Sequence, residues 1–512
     1  MRLYPMNSGQ ARMRLVQGGA ALAAAALIAG CGSTYRPVVT PVNTSGPPAQ
    51  PTSYAIVVSA PSPTTPGIAT VVDYSGDSVL AIAPIGLGPV AFTIDEVGGS
   101  GYTLNSDGTL SNFQLSSSLQ GKNVVYSTLP TTANPVNLFS PSAGLYAPDL
   151  AGNVTDVFTG FPQAFKIAIP VATTPVMIAG TPSNGQRIFA LSQDIPGTAP
   201  AATAGMECNL TPTAEPAGFV DGIELSSYTV SSDIAVGKCP VFAIPSADGK
   251  RMFVLNRGDD TISVINIQDN TLDNQCPAPT GCVNQSGQTY FTHPTLPLSL
   301  GAVTATGITP PNGTAGMAAS AGPVYAEYNQ ATAQLVIADY DGATISVIDV
   351  SEDEYGNDSP TFGTTYTIPV GKNPASVTVL ADGSRAYTAN QTDQTVTIVT
   401  LSSHTVEKTL PTTGHPRTVV STQNSQYGKV YVASPDSPYL TIVRTDLDIV
   451  DTTILVEGNI VDVRATTQTG GSGNAVVSSR RPGYGQPCYL PPSVEPAPTG
   501  GATLLETCRL LP

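Results

Sequence analysis

The stretch ADGSRAYTANQTDQTVTIV, Ala381 to Val399, is written twice in this chain: Ala247 to Ile265 reads ADGKRMFVLNRGDDTISVI. Ala, Asp, Gly, Arg, Asn, Asp and Thr return at matching places. In each copy Ala-Asp-Gly is a tight turn, because Asp-Gly tolerates the positive φ that such turns need. RAYTAN then alternates with the two-residue period of a strand, a polar turn follows, and TVTIV is a second strand. The unit returns as QLVIADYDGATISVIDV (Gln334 to Val350) and KVYVASPDSPYLTIVRT (Lys429 to Thr445). Looser copies are ATVVDYSGDSVLAIA (Ala69 to Ala83), GYTLNSDGTLSNFQL (Gly101 to Leu115) and GLYAPDLAGNVTDVF (Gly144 to Phe158).

Between these units a residue followed by proline opens a further apolar strand, at Gly88-Pro89, Asn134-Pro135, Thr174-Pro175, Cys239-Pro240, Gly322-Pro323, Asn373-Pro374 and His415-Pro416. Proline lacks a backbone N–H, so it is tolerated at the first residue of a strand and excluded from its middle. An eighth such strand, from Asn459, lacks the proline, and segments such as TTYTIPVG (Thr364 to Gly371) supply a fourth strand to each unit. Four strands recurring over about 42–50 residues is the size of a propeller blade. A lone four-stranded sheet cannot bury both faces, and stacking around an axis buries them. The predicted fold is therefore all-β: a β-propeller of eight four-stranded blades, with seven the alternative. Its ring is closed by both chain ends, with inner strands of the shared blade from Asn459–Arg480 and outer strands from Ala55–Ala83.

FVLNRGDDTISVIN, VIADYDGATISVID and YTANQTDQTVTIV resemble the Tyr-Val-Thr-Asn (YVTN) type of propeller repeat, within the broader YncE-like and lactonase-like propeller group. The resemblance spans about 240–456 and is weak before 230. It implies a propeller and brings lactone hydrolysis into view, but fold alone does not carry function. With no Trp in the chain, a Trp-Asp repeat and a Trp platform for a quinone cofactor are excluded.

The N-terminus reads as an address. Arg12-Met13-Arg14 precedes an apolar run and the exit Leu27-Ile28-Ala29-Gly30-Cys31, the layout of a secretory signal whose last residues resemble a bacterial lipobox. That resemblance implies cleavage before Cys31, lipidation of Cys31 and, with Gly32 following, anchoring in the outer membrane. The chain then divides into a signal peptide over 1–30, a Pro/Ser/Thr-rich tether over 31–52, the propeller over 53–482 with inserts at about 194–216 and 268–321, and a tail over 483–512. The tether is too polar to fold and stands as a semi-extended spacer. Of seven cysteines, lipidation of Cys31 leaves an even number for an oxidising compartment. Nearest-neighbour pairing gives Cys208–Cys239, Cys276–Cys282 and Cys488–Cys508, the last within the tail. A metal site is the rival reading and lacks a CxxC pair or a nearby His.

The formal net charge is −16 and charged residues make up 11% of the chain. A polyanion repels phosphate backbones and anionic lipid, so nucleic-acid binding is excluded and membrane contact is expected through the lipid alone. Cys208 and Cys239 belong on one face of the ring, with the blade-to-blade connections. The insert Gln268 to Ala321, with Cys276, Cys282 and His293, is expected on the opposite face. Residues preceding the prolines ring the top of the channel: Asn134, Thr174, Asn373 and His415, with Asn459 at the eighth position and Arg417 beside His415. Such a rim suits a polar or anionic ligand; the plainer alternative is that these groups cap strand ends and hold channel water.

Arg257-Gly258-Asp259 spells an adhesion tripeptide but occupies the repeated turn. In SEDEYGND (Ser351 to Asp358) the carboxylates of Glu352, Asp353 and Asp358 are candidate Ca²⁺ ligands without EF-hand spacing; a solvated acidic loop is the preferred reading, and no cofactor is expected. Three His, at 293, 404 and 415, yield no Ser-His-Asp arrangement by spacing, and no GxSxG, HExxH, phosphate-cradling or haem-attachment motif is present. No catalytic residue is assigned. The expectation is a monomeric, non-enzymatic envelope lipoprotein whose propeller binds a protein, glycan or small polar ligand. The alternatives are a lactonase-like hydrolase with its site in the channel and a redox-associated propeller.

Overall fold

The computed structural model describes residues 54–62, 64–95, 99–141, 144–180, 187–194, 217–298, 320–421, 428–466 and, for the backbone, 479–480. Eight sheets follow one another along the chain, each built outward from an innermost strand, and together they form an eight-bladed β-propeller. Blade one is shared between the chain ends: Asn459–Ala465 is innermost, followed outward by Tyr54–Ala60, Pro66–Asp73 and Val79–Leu87. Blade two runs Pro89–Ile94, Ser100–Asn105, Thr109–Gln114 and Val125–Thr128. Blade three has a regular ladder of Leu145–Asp149, Val154–Thr159 and Ala164–Pro170, with residues 135–139 on its inner edge held by single bridges, Pro135 to Asp149 and Phe139 to Tyr146.

Blade four is Pro175–Gly180, Arg187–Ser192, Ala217–Glu224 and Thr229–Lys238; blade five begins Pro240–Pro245, Arg251–Asn256 and Thr261–Asn266. Blade six is Pro323–Asn329, Gln334–Asp339, Thr344–Asp349 and Thr365–Pro369. Blade seven is Pro374–Val379, Arg385–Asn390, Thr395–Thr400 and Thr405–Pro411. Blade eight is Thr418–Ser421, Lys429–Ala433, Tyr439–Arg444 and Ile449–Leu455.

Two expectations change. The C-terminal part gives blade one a single inner strand, not several, and the N-terminal part gives three. Tyr54–Ala60 is buried along almost its whole length and pairs with Asn459–Ala465 on one edge and Pro66–Asp73 on the other, so it fills the second place that a further C-terminal strand would have taken. Ser479–Arg480 pairs instead with Asn137–Leu138 of blade three.

The insert 268–321 is also not one loop on the far face. Thr271–Leu272 and Thr295–Pro297 both pair with Thr261–Asn266, so together they make the outer edge of blade five and residues 273–294 leave and rejoin that edge. Leu298 and Pro323, which bound the rest of the insert, both lie at the end of the ring where the prolines are. Within the excursion, Cys276 and Cys282 form a disulfide, as expected.

The core lies between the faces of neighbouring sheets. The third residue of the second strand is aromatic in five blades: Tyr102 is buried, and Phe189, Phe253, Tyr387 and Tyr431 are fully buried. Burial of one such ring contributes about 2–3 kcal/mol. Outer strands are exposed and polar, as in Thr405–Pro411 (TVEKTLP), which keeps the sheet edges soluble.

The repeated polar residues are spent on joints. At the end of the second strand, Asn105, Asn256 and Asn390 each donate through Nδ2 to two hydroxyls of the third strand: Thr109 and Ser111 (3.0 and 2.9 Å), Thr261 and Ser263 (3.0 and 2.9 Å), Thr395 and Thr397 (3.1 and 2.8 Å). Against each amide sits a glycine three residues before the next proline. A Cβ on Gly86, Gly237 or Gly371 would lie 2.1, 2.5 or 2.7 Å from atoms of the facing Asn. The Gly86 and Gly237 amides then donate to Ser111 and Ser263 (2.9 and 3.2 Å).

At the opposite end, the cation that starts the second strand reaches the next blade. Arg187 donates to the Ile267 carbonyl (2.9 Å) and Arg385 to the Thr445 carbonyl (2.7 Å) and to Asp448, while Lys429 donates to the Tyr74 carbonyl (2.8 Å) and forms an ion pair with Asp77 (2.6 Å). The last of these crosses the seam where the chain ends meet.

Candidate functional site at the inner rim

The turn into each inner strand sets the rim. Gly88, Thr174, Cys239, Gly322 and Asn373, each directly before a proline, have φ of 51°, 59°, 54°, 61° and 54°. Proline bars the right-handed helical region to the residue before it, and the reversal into the strand takes the left-handed one. That conformation is strained for a β-branched residue. Thr174 is held there by bonds at both backbone groups, its N–H donating to Asn153 Oδ1 (3.0 Å) and its carbonyl accepting from the Gln193 amide (3.0 Å).

The candidate rim residues divide into two groups. Asn373 is buried; its Nδ2 donates to the Tyr340 carbonyl (3.3 Å) and its Oδ1 accepts from Thr392 Oγ1 (2.6 Å). His415 is also buried. Its Nδ1 lies 2.5 Å from Asp436 Oδ2, its backbone N–H donates to Asp436 Oδ1 (2.8 Å), and its Nε2 lies 2.8 Å from Gln394 Nε2. The Asn134 amide donates to Asp149 Oδ1 (2.9 Å). These groups close the joint between one blade's connection and the neighbouring turn.

Arg417 and Asn459 belong to the other group. Arg417 is 9% exposed, and its guanidinium donates through Nη2 to the Val461 carbonyl on the innermost strand of blade one. Burial pushes its pKa down, with Asp462 acting in the opposite sense. Asn459, at the start of that strand, is half-buried and its carboxamide makes no hydrogen bond among the described residues.

Carboxyls stand where the repeat elsewhere carries neutral groups, and sequence reasoning passed over them. Asp339 holds the place of Asn256 and Asn390, accepting from Thr344 and Ser346 (3.1 and 2.7 Å); burial pushes it up to about 8. Asp221 holds the place of Ser263, accepting from the Ala172 amide (2.8 Å), and burial pushes it up to about 6. In blade three Asp149 and Asp156 replace both partners, and burial together with Asp149 raises Asp156. The signal was legible: VIAD in place of VLN and TAN at the end of the second strand. His415's partners Asp436 and Gln394 carried no comparable signal, because they come from turns of two different blades.

The remaining candidates lie apart from the rim. Glu352 and Asp358 turn to Arg251, which meets Glu352 (2.5 Å), Asp358 (2.6 Å) and Asp273 (3.1 Å). Asp358 also meets His293 Nδ1 at 2.7 Å. Asp353 caps its own loop, accepting from the Tyr355 and Asn357 amides (2.8 and 2.9 Å). The loop's acids thus serve an ion network that ties the 273–294 excursion to blade six. Arg257 of the Arg-Gly-Asp turn is buried in a two-pronged pair with Asp341 (2.9 and 3.2 Å). Cys239 is disulfide-bonded to a residue outside the described set. Cys31, Cys208, Cys488 and Cys508 also lie outside it.

No protein-family model matches the chain. A comparison with curated proteins finds no match. Solved structures do match. Apo AztD from Citrobacter koseri aligns at a TM-score of 0.52 with 11% identity, over 84% of this chain and 99% of that one. The dihydro-heme d1 dehydrogenase NirN, in complex with DHE, aligns at 0.52 with 12% identity, over 83% of this chain and 76% of that one. The shared feature is the fold. At these identities the likeness says nothing about which ligand this chain takes.

Proposed function

We propose that this protein is a lipid-anchored envelope propeller that binds a ligand or partner at the end of the ring where the inner-strand prolines lie. One observation carries the reading: the two longest connections leave and re-enter the ring at that end. They join Ser192 to Ala217 and Leu298 to Pro323, and the first leaves blade four beside the disulfide-bonded Cys239, whose Sγ lies 3.7 Å from Gln193 Nε2. Long connections on a rigid ring are where recognition concentrates. The other end is occupied by cation latches between blades, which are structural. The lipobox-like Leu27–Cys31 and the tether to residue 52 supply attachment and stand-off. The hydrolase alternative lacks support at the rim, where the His415–Asp436 pair presents its outer nitrogen to the amide of Gln394 rather than to a hydroxyl.

The test is crosslinking in intact envelopes with the wild type, a Cys31→Ala variant and variants shortening residues 196–214 or 300–318. A partner captured by the wild type and lost on shortening either connection supports the reading, as does release of the Cys31→Ala protein from the membrane fraction. Capture unchanged by both shortenings removes the binding face; membrane retention of Cys31→Ala removes the lipid anchor.

A further inference from the structure

We infer that Arg417 anchors a site for a small oxyanion of the carboxylate type at the junction of blades eight and one. The inference deepens the binding reading above and rests on it. The observation is an imbalance of buried charge. Among the described residues the other well-buried cations each face a carboxylate: Arg251 meets three, Arg257 meets Asp341 through Nε and Nη2, Arg385 meets Asp448, Lys429 meets Asp77 and Arg464 meets Asp462. Arg417 is as buried as Arg251 and Arg257, yet its side chain spends only Nη2, on the Val461 carbonyl, among the described residues.

The nearby carboxylate is already committed. Asp462 Oδ2 accepts from Arg464 Nε and Nη2 (3.1 and 2.8 Å), and Asp462 Oδ1 accepts from the Val463 amide (2.9 Å). Two guanidiniums therefore share one carboxylate on this stretch of inner wall, in a chain whose net charge is −16. A guanidinium does not shed its proton in a protein and carries five N–H donors, and an uncompensated buried charge is strongly unfavourable. An anion bound beside Arg417 relieves both deficits. The planar fork suits a ligand presenting two oxygens on one edge. Carboxylates and phosphate share this chemistry, and the probes below separate them.

The test uses the full chain, with thermal unfolding and calorimetric titration by acetate, succinate and inorganic phosphate, each balanced with chloride to constant ionic strength. The expected result is a saturable rise in Tm with at least one probe. That rise disappears in Arg417→Gln, and its midpoint moves by about tenfold or more in Arg417→Lys, which keeps the charge and loses the fork. Arg417→Gln without ligand melts at or above the wild type, because it removes an unpaired buried charge. A response to phosphate alone, lost in Arg417→Gln, keeps the site and assigns it to phosphate esters. The inference is overturned if none of the probes gives a saturable response, if Arg417→Gln retains the response, or if that variant melts well below the wild type. Failure here leaves the crosslinking result untouched, and a positive result here survives failure of partner capture, so the two readings fall separately.

Discussion

Lys429 of blade eight bonds Asp77 of blade one at 2.6 Å, with the two side chains 13% and 14% exposed. The two residues come from opposite ends of the folded chain. The same Nζ also donates to the Tyr74 carbonyl (2.8 Å). This is the latch that Arg187 and Arg385 make between consecutive blades, repeated once across the seam.

Replacing Lys429 by Met leaves Asp77 buried without its cation. Loss of one partner of a buried pair costs about 3 kcal/mol, read as a lower urea midpoint. The double variant Lys429→Met/Asp77→Asn recovers part of that loss, which identifies the pair rather than lysine packing as its source. Equal midpoints for Lys429→Met and wild type would show that the seam is held by strand pairing alone.

Arg251 is surrounded by Asp273, Glu352 and Asp358. Arg251→Gln leaves three carboxylates facing one another, and a loss of about 3 kcal/mol is expected. The excursion 273–294 should then open first, since Asp273 and His293 attach it to the network. Limited proteolysis should show faster cleavage there, ahead of global unfolding.

Asp339 gives a pH prediction. Its folded pKa of about 8 lies above the unfolded carboxyl value of about 3.9. The folded state therefore binds the proton more tightly, and the associated stability is fully present below about pH 4 and drains as pH rises towards 8. Asp339→Asn, which installs the residue found in the sister blades, is expected to melt close to wild type at pH 4.5 and increasingly above it from pH 6 to 8. A constant Tm difference across that range would mean that Asp339 stays ionised in the fold.

Gly237 faces Asn256, and a Cβ there would lie 2.5 Å from the amide. Gly237→Ala is expected to cost about 1–3 kcal/mol, the usual range for overpacking a filled site. Asn256→Ala/Gly237→Ala removes the contact with the amide but keeps the Asn256 Cβ, 2.8 Å from the new methyl, and loses two hydrogen bonds to hydroxyls, so the double variant should stay below wild type. A neutral Gly237→Ala would show that the blades can shift apart there.

The repeat made the ring legible. Strand type, the proline at the start of seven inner strands and the shared first blade are all written locally, as alternation, as a missing N–H and as a recurring period. The Arg of ADGKR and ADGSR was visible as a recurrence too, though not its destination, because Glu352 and Asp358, the partners of Arg251, and Thr445 and Asp448, the partners of Arg385, lie one blade on. The insert 268–321 was misplaced for a related reason. A two-residue strand, Thr271–Leu272, and a three-residue one, Thr295–Pro297, are too short to announce themselves by periodicity, and only pairing with Thr261–Asn266 reveals them as one interrupted edge.

The candidate site was half legible. Sequence position puts Asn373, His415, Arg417 and Asn459 near one rim, since each sits at the entry to an inner strand. It does not tell a spent donor from an unspent one. His415 is satisfied by Asp436 and Gln394 from two different turns, while Arg417 finds Val461 and, among the described residues, no carboxylate of its own. By itself the sequence determined the wheel, because backbone geometry and apolar alternation act within a few residues. The tertiary structure alone decided which buried charges are paired, because pairing depends on distances between blades that no local pattern encodes.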